Sequence, residues 1–308
     1  MRQVVFNVGG ALSTYIEFGE RKVLIDVGSS NNFNPIISFL YPLYASRNSL
    51  KNKDGKFVLD QCIISHPHKD HISAISDFDK YFSPKLLTCP NSNEGMEEQD
   101  KINWKTIGNE DDDSIKTLKR MLKGRTPPLR SSDTTSLFIY YMPPLIVEQD
   151  SALSSESYVN NISIATIIRF GGYAVLMPGD LQKEGLEYLL KHNGGFRRKV
   201  KDGIDVLITP HHGLRSSFST KLFDEMKGQR TRCLNVVSEK PNADDDREVD
   251  SRYSEGKYCA GENSLSTRHD PHYQVRTSRG HVLLDYSHPE KVLTKITNEA
   301  KDVIDFFS

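Results

Sequence analysis

The chain has 308 residues, 37% of them hydrophobic and 26% charged, with 40 Lys and Arg against 41 Asp and Glu, so the net charge is −1. That is the balance of a globular protein long enough for one large core. It excludes a global positive field of the kind that grips long nucleic acid, so any such contact must be local. No run approaches the ~20 apolar residues that span a bilayer.

The start, MRQVVFNVGG, has too short an apolar run for a signal peptide. Cys62, Cys89, Cys233 and Cys259 are scattered without C-x-x-C spacing, which points to reduced thiols in a cytoplasmic protein rather than a disulfide frame. In chain order, Val4–Phe6, Ser13–Phe18 and Lys22–Asp26 read as strands, with Gly9-Gly10 and Gly19-Glu20 as turns. Ile36–Tyr44 reads as a helix that Pro42 interrupts. The apolar run Leu59–Ile64 predicts a buried strand, and Ser73–Phe82 a helix followed by a short strand over Lys85–Thr88. Asn91–Asp113 is polar and acidic, a surface excursion. Ser114–Lys123 predicts an amphipathic helix with a basic face, capped by Ser114 and stopped by Gly124.

Directly after the Leu59–Ile64 strand stands Ser65-His66-Pro67-His68-Lys69-Asp70-His71, which holds three of the ten His in the chain. Pro67 disfavours a helix across the first two His, and in extended chain alternate side chains point the same way. Asp70 and His71 open the following amphipathic segment, where a helix N-terminus favours an acidic residue. Imidazole and carboxylate are the ligands that Zn²⁺, Mn²⁺ and Fe²⁺ accept. Two ligand pairs this close predict two adjacent metals, with His66 and His68 on one and Asp70 and His71 on the other.

The second part of the chain repeats the first. Phe18–Ile25 is similar to Phe170–Met177, each a hairpin with an apolar second strand, and Asp60–His66 is similar to Asp205–His211, each a strand delivering a His at its end. The same order in both predicts one domain over 1–308, built of related halves at about 1–124 and 137–308 that share a site at their junction.

The H-x-H-x-D-H run after a strand resembles the metal motif of metallo-β-lactamase-fold hydrolases. Asn161-Ile162-Ser163, then a hairpin, then Gly179-Asp180 is similar to the hydrolase domain of ComEC-type DNA-uptake proteins. The resemblance implies an α/β fold, a four-layer αββα sandwich with its binuclear site at one edge. It also implies that Asp26 sits beside the metals and orients the His-rich loop, and that Asp180 bridges them.

Asn161 would then face the site from the start of a strand and donate to a substrate oxygen. Pro210-His211-His212-Gly213, followed by Ser216-Ser217, resembles the family's H-H-G turn. It places His211 at the site, as ligand or proton donor, with His212 next to it as the other candidate to stabilise or protonate the leaving oxygen, and Ser216 toward an anionic substrate. His269, or else His272, would supply the last ligand of the second metal.

Three departures stand out. The chain has no His between His71 and His192, the family's late G-H-P is absent as such with its nearest counterparts in Thr267–Tyr273, and the first turn reads Gly9-Gly10-Ala11-Leu12 where ComEC-type members carry G-Q-G-D.

The expected cofactors are therefore two divalent transition metals, Zn²⁺ or Mn²⁺. The expected activity is metal-dependent hydrolysis with Asp26 or Asp70 orienting a water. A phosphodiester substrate, in nucleic acid or a nucleotide, comes first. A carbonyl hydrolase acting on esters, lactones or peptides is the competing enzyme, and a scaffold with a degenerate metal site is the non-catalytic alternative. The basic clusters Lys116–Arg125, Arg197–Lys201 and Arg268–Arg279 are candidate local phosphate contacts. Val275–Asp285 is expected to close as a hairpin, with His281 structural, and Asn298–Phe307 as a terminal helix.

Overall fold

A computed structural model describes the chain except residues 94–95, 109–110, 124, 126–135, 155–157, 227–232, 240–247, 256–257 and 259–273. The candidate ligands His269 and His272 and the cluster residue Arg268 lie outside the described residues.

The first sheet begins with β1 (Arg2–Val5), β2 (Ser13–Phe18), β3 (Arg21–Val27), β4 (Phe57–Ile63) and β5 (Phe82–Thr88). The second sheet holds β6 (Leu137–Tyr140), β7 (Ala165–Phe170), β8 (Tyr173–Met177), β9 (Val206–Ile208), β10 (Leu234–Val237) and β11 (Gln274–Arg276). β12 (His281–Asp285) and β13 (Leu293–Thr297) then return to the first sheet, whose order is β13-β12-β1-β2-β3-β4-β5. The other sheet runs β11-β10-β9-β8-β7-β6.

Side-chain alternation sorts these strands into layers. In β3, Val23 and Ile25 join an apolar cluster with Val175 and Met177 of β8, Ile208 of β9 and Val236 of β10, which is the core between the two sheets. Their neighbours Leu24 and Leu176 turn the other way. They join a cluster with Phe39, Leu43 and Phe78 from the helices beside the first half and Leu186 and Phe196 from those beside the second. Helices thus cover the outer faces of two stacked sheets, the four-layer α/β arrangement expected from the sequence.

The internal repeat has a topological counterpart. β2 and β3 are antiparallel and β3 runs parallel to β4, while β7 and β8 are antiparallel and β8 runs parallel to β9. The two similar segments occupy the same place in each series, and the Phe18 and Phe170 rings, which open them, stand 5.9 Å apart. β4 ends at the His66 loop and β9 at the His211 turn.

Several expectations are corrected. Val275–Asp285 is not a hairpin: β11 pairs with β10 in the second sheet and β12 with β1 in the first, so this segment crosses between sheets. β12 and β13 therefore belong to the first sheet although they close the second half of the sequence. The segment expected as a helix interrupted by Pro42 is a π-helical stretch over Ile36–Leu40 followed by an α-helix, and Pro42 marks the junction rather than breaking the α-helix. It sits in the first turn of Tyr41–Ser46, where a missing N–H costs no intrahelical bond. The basic-faced helix is Asp113–Leu122, capped by Asp112 rather than Ser114, because the Asp112 carboxylate accepts the Ser114 N–H at 2.8 Å.

Candidate metal centre

Four loops converge where the parallel strands of both sheets end. Asp26 stands at the end of β3 with φ of 57°, a left-handed conformation that a non-glycine residue adopts only when the surroundings hold it there. The Ser65–His71 loop follows β4, with His68 extended immediately before the short helix Lys69–Ile72. Gly179-Asp180 follows β8, and His211-His212-Gly213 follows β9. Those last three residues are all left-handed, with φ of 44°, 57° and 77°. That tight turn aims two successive imidazoles from one short loop.

Two groups of ligand atoms result. Asp70, His71, Asp180 and His212 form one, and His66, His68 and Asp180 the other, with the potential ligand atoms of each group all within 4.8 Å of one another. In the first group His71 Nε2 lies 3.2 Å from Asp180 Oδ1, and His212 Nε2 lies 3.3 Å from Asp70 Oδ2. In the second, His66 Nε2 lies 3.0 Å from His68 Nδ1 and 3.7 Å from Asp180 Oδ2. Ligand atoms about 2.1 Å from one tetrahedral ion stand roughly 3.4 Å apart, so these separations suit a shared cation. Asp180 contributes to both groups, one oxygen facing each.

Hydrogen bonds fix which nitrogens face inward. Asp26 Oδ2 takes the Nδ1 side of His71 at 2.8 Å, so Nδ1 of that imidazole carries a proton and Nε2 is the atom turned toward Asp180. The Ser238 carbonyl does the same for His212, 3.2 Å from its Nδ1. His71 Nε2 and Asp180 Oδ1 are both buried with no hydrogen-bond partner, and they face one another. Lone pairs facing one another at 3.2 Å repel unless a proton or a metal cation lies between them. That opposition fits a cation bound by these residues.

Electrostatics agree. Burial alone would push the Asp180 carboxyl up, yet His71, His212 and His66 reverse this and hold it well below the usual carboxylate range. Burial would also raise Asp70, but His71 and a hydrogen bond from His212 pull it down. Burial disfavours the charged forms of His71 and His212, whereas Asp180 with Asp26 and Asp70 raises His71, and Asp180 with Asp70 raises His212. Protons on those two imidazoles balance the carboxylates in the metal-free chain, and divalent cations would displace them. Burial, with His71 next, pushes His66 well down, and burial lowers His68 and His211, which suits neutral imidazoles.

The other sequence candidates fall at different distances. His211 Nε2 is 3.9 Å from Asp180 Oδ2, outside both ligand groups, and its Nδ1 is 3.4 Å from the hydroxyl of exposed Ser216. His212, favoured less by sequence, stands among the ligand atoms. Asn161 does not begin a strand and does not face the cleft. It ends the short helix Tyr158–Asn161, fully buried, donating to the Leu153 carbonyl and accepting the Gln182 N–H. In the same N-x-S run it is Ser163 that reaches the site, its hydroxyl accepting the Asp180 N–H at 3.1 Å. Sequence reading passed over Ser163 and Ser65, because a buried serine leaves no pattern of its own.

Beyond the ligands an open cleft is lined by Gly9, Gly10, Ser29, Ser30, Asn31 and Ser73, with Lys69 and Glu239 among its edges. Lys69 lies 3.2 Å from Asp112. The basic clusters lie elsewhere among the described residues: Lys116 pairs with Asp111, Arg120 with Asp79, and Arg197 with Glu225 in a separate cleft between helices. Arg197–Lys201 is helical rather than a loop. Arg276 pairs with the cleft residue Glu239 at 2.7 Å. No described helix is long and apolar enough to cross a membrane.

Residues 6–135, the part that carries the His-rich motif, match the metallo-beta-lactamase superfamily. No curated protein matches the chain. Among solved structures it is similar to the metallo-beta-lactamase fold protein YhfI from Bacillus subtilis, at 16% identity over 68% of this chain and 71% of that one, with a TM-score of 0.32. A putative metallo-beta-lactamase from Thermotoga maritima gives 15% identity, 64% and 84% coverage and a TM-score of 0.36. The metallo hydrolase Igni18 from Ignicoccus hospitalis gives 13%, 76% and 81%, and 0.36.

Proposed function

We propose, from a metallo-beta-lactamase superfamily domain over residues 6–135 completed by Asp180 and His212 of the second half, that this chain is a binuclear metal-dependent hydrolase. The observation that carries the reading is the pair His71 Nε2 and Asp180 Oδ1, buried, unpartnered and 3.2 Å apart. His66 and His68 would hold one ion, Asp70, His71 and His212 the other, and Asp180 both. When bound, two such ions, Zn²⁺ or Mn²⁺, would supply a water of lowered pKa and would polarise the scissile group. Asp70, at the mouth of the cleft, orients the water. His211, held by Ser216 and outside both ligand groups, is placed to protonate the leaving oxygen.

A phosphodiester is the preferred substrate, in keeping with the ComEC-type run from Asn161 to Leu181. The serine hydroxyls and Asn31 amide around the cleft suit phosphate oxygens. With Lys69 as the cleft's one lysine among the described residues, a nucleotide or short single strand fits better than a long duplex, whose binding needs several phosphates neutralised. The buried thiols of Cys62, Cys89 and Cys233 suit a reducing cytoplasm.

The test is metal analysis of the purified protein, followed by assay on bis-p-nitrophenyl phosphate against ester and lactone substrates. Two metals per chain with diesterase activity is the expected result. Metal with ester or lactone cleavage alone would move the substrate to the carbonyl class, and no metal uptake would leave a non-catalytic scaffold.

A further inference from the structure

Ser65 joins the two ligand groups. It is 1% exposed, and every polar group it has is used. Its N–H donates to Asp26 Oδ1 at 2.7 Å, and its carbonyl accepts the Ile164 N–H from the second half at 2.9 Å. Its hydroxyl oxygen lies 2.8 Å from Asp26 Oδ2, 3.1 Å from His66 Nδ1 and 3.2 Å from His71 Nδ1. The packing is tight, since a β-carbon added at Gly179 would come within 2.8 Å of Ser65 Cβ.

A hydroxyl has one proton to give, and an ionised carboxylate only accepts. The Ser65 proton therefore goes to Asp26, and the Ser65 oxygen is left as an acceptor. The proton between Ser65 and His66 must then come from His66 Nδ1. That leaves His66 Nε2 as a lone pair, directed toward His68 Nδ1 and Asp180. Asp26 acts on His71 directly and on His66 through Ser65.

We propose that Ser65 is a positioning residue that extends the reach of Asp26 to His66, so that one carboxylate sets the tautomer of a ligand in each metal position and couples the two positions. The inference rests on the binuclear reading above. Deleting the hydroxyl frees His66 to take the other tautomer and rotate, and leaves the direct Asp26–His71 contact in place. The His66/His68 position should therefore suffer and the Asp70/His71 position should not.

The experiment is Co²⁺ titration of the metal-free protein, followed by calorimetry and by the visible spectrum of the bound ion, with thermal unfolding as a check on folding. Wild type should bind two Co²⁺. Ser65→Ala should bind one with near wild-type affinity and the other about 10–100-fold more weakly, the usual cost of losing a partner of a ligating imidazole. In a His212→Ala background, which cripples the Asp70/His71 position, the whole Ser65→Ala loss should fall on the remaining ion. Ser65→Thr, which keeps the hydroxyl, should restore it.

Asp26→Asn should weaken both positions, and it tests the coupling even if Ser65→Ala fails to fold. Two constants within about twofold of wild type in Ser65→Ala, equal weakening of both positions, or an Asp26→Asn effect confined to one position would each overturn the proposal. A wild type that takes up no Co²⁺ overturns the binuclear reading itself, which is a different result.

Discussion

The Ser163 hydroxyl accepts the backbone N–H of Asp180 at 3.1 Å. This bond holds the Gly179-Asp180 turn against the end of the second sheet, so the carboxylate shared by both ligand groups is aimed from behind by a residue that belongs to neither group. Both residues are buried. Ser163→Ala leaves the Asp180 N–H unpaired and should cost about 1–3 kcal/mol of stability, measured by denaturant unfolding. Metal analysis of the same variant should show both ions weakened, since Asp180 serves both. Loss of stability with metal binding untouched would confine Ser163 to the fold.

His211 and His212 separate into different roles. His212→Asn should lose the ion held with Asp70 and His71, because Nε2 of His212 stands among those ligand atoms. His211→Asn should keep both ions and lose activity by about 10²–10⁴-fold, the usual worth of a positioned proton donor. Asn is the apt replacement because it tolerates the left-handed backbone that both positions adopt. Loss of an ion in the His211 variant would place His211 among the ligands instead.

Gly28 has no room for a side chain. A β-carbon there would come 2.2 Å from the Asp70 carbonyl oxygen and 2.5 Å from that of Leu12, both backbone atoms. The Asp70 carbonyl accepts the Leu12 N–H, and the Leu12 carbonyl accepts the Gly28 N–H, so the three segments are laced together beneath the metal loop. Gly28→Ala must push the Asp70 loop outward, which should destabilise the protein by about 1–3 kcal/mol and weaken the ion bound by Asp70. Unfolding and metal titration read the two effects separately. An Ala variant with wild-type values in both would show that the loop yields without cost.

His281 predicts an acid dependence of stability away from the metals. It is buried against Phe33 and Phe6, accepts the Asn7 N–H through Nδ1, and burial lowers its pKa to about 4 from an ordinary 6.5. Between those values the unfolded chain binds the proton and the folded chain does not. Stability is therefore complete above about pH 6.5, falls as the pH drops toward 4, and loses up to about 3 kcal/mol from this group. His281→Gln, whose amide oxygen can accept the Asn7 N–H, should flatten that stretch of the profile. An unchanged slope would assign the acid sensitivity to other groups.

The sequence by itself located most of the strands and the His/Asp run from which the candidate metal centre is built. Short apolar runs such as Lys22–Asp26 and Leu59–Ile64 fix strands locally, and H-x-H-x-D-H is legible because its six-residue span and its residue types suit metal ligation without any distant partner. The two similar strand–turn–strand segments lie in corresponding places, β2-β3-β4 in one sheet and β7-β8-β9 in the other. What the sequence could not decide depends on contacts between segments far apart along the chain.

Which of two adjacent His reaches the ligands turned on the left-handed φ of residues 211–213 and on a carbonyl at Ser238. The burial of Asn161 turned on Leu153 and Gln182. The basic runs read as phosphate contacts found acidic partners, Arg197 on Glu225 and Arg120 on Asp79. Ser65 and Ser163, silent in the sequence, became decisive because tertiary packing excluded water around them. A buried hydroxyl must then bond to the few groups within reach, and here those groups are the Asp26 carboxylate, the His66 imidazole and the backbone of Asp180, which both candidate ligand groups share.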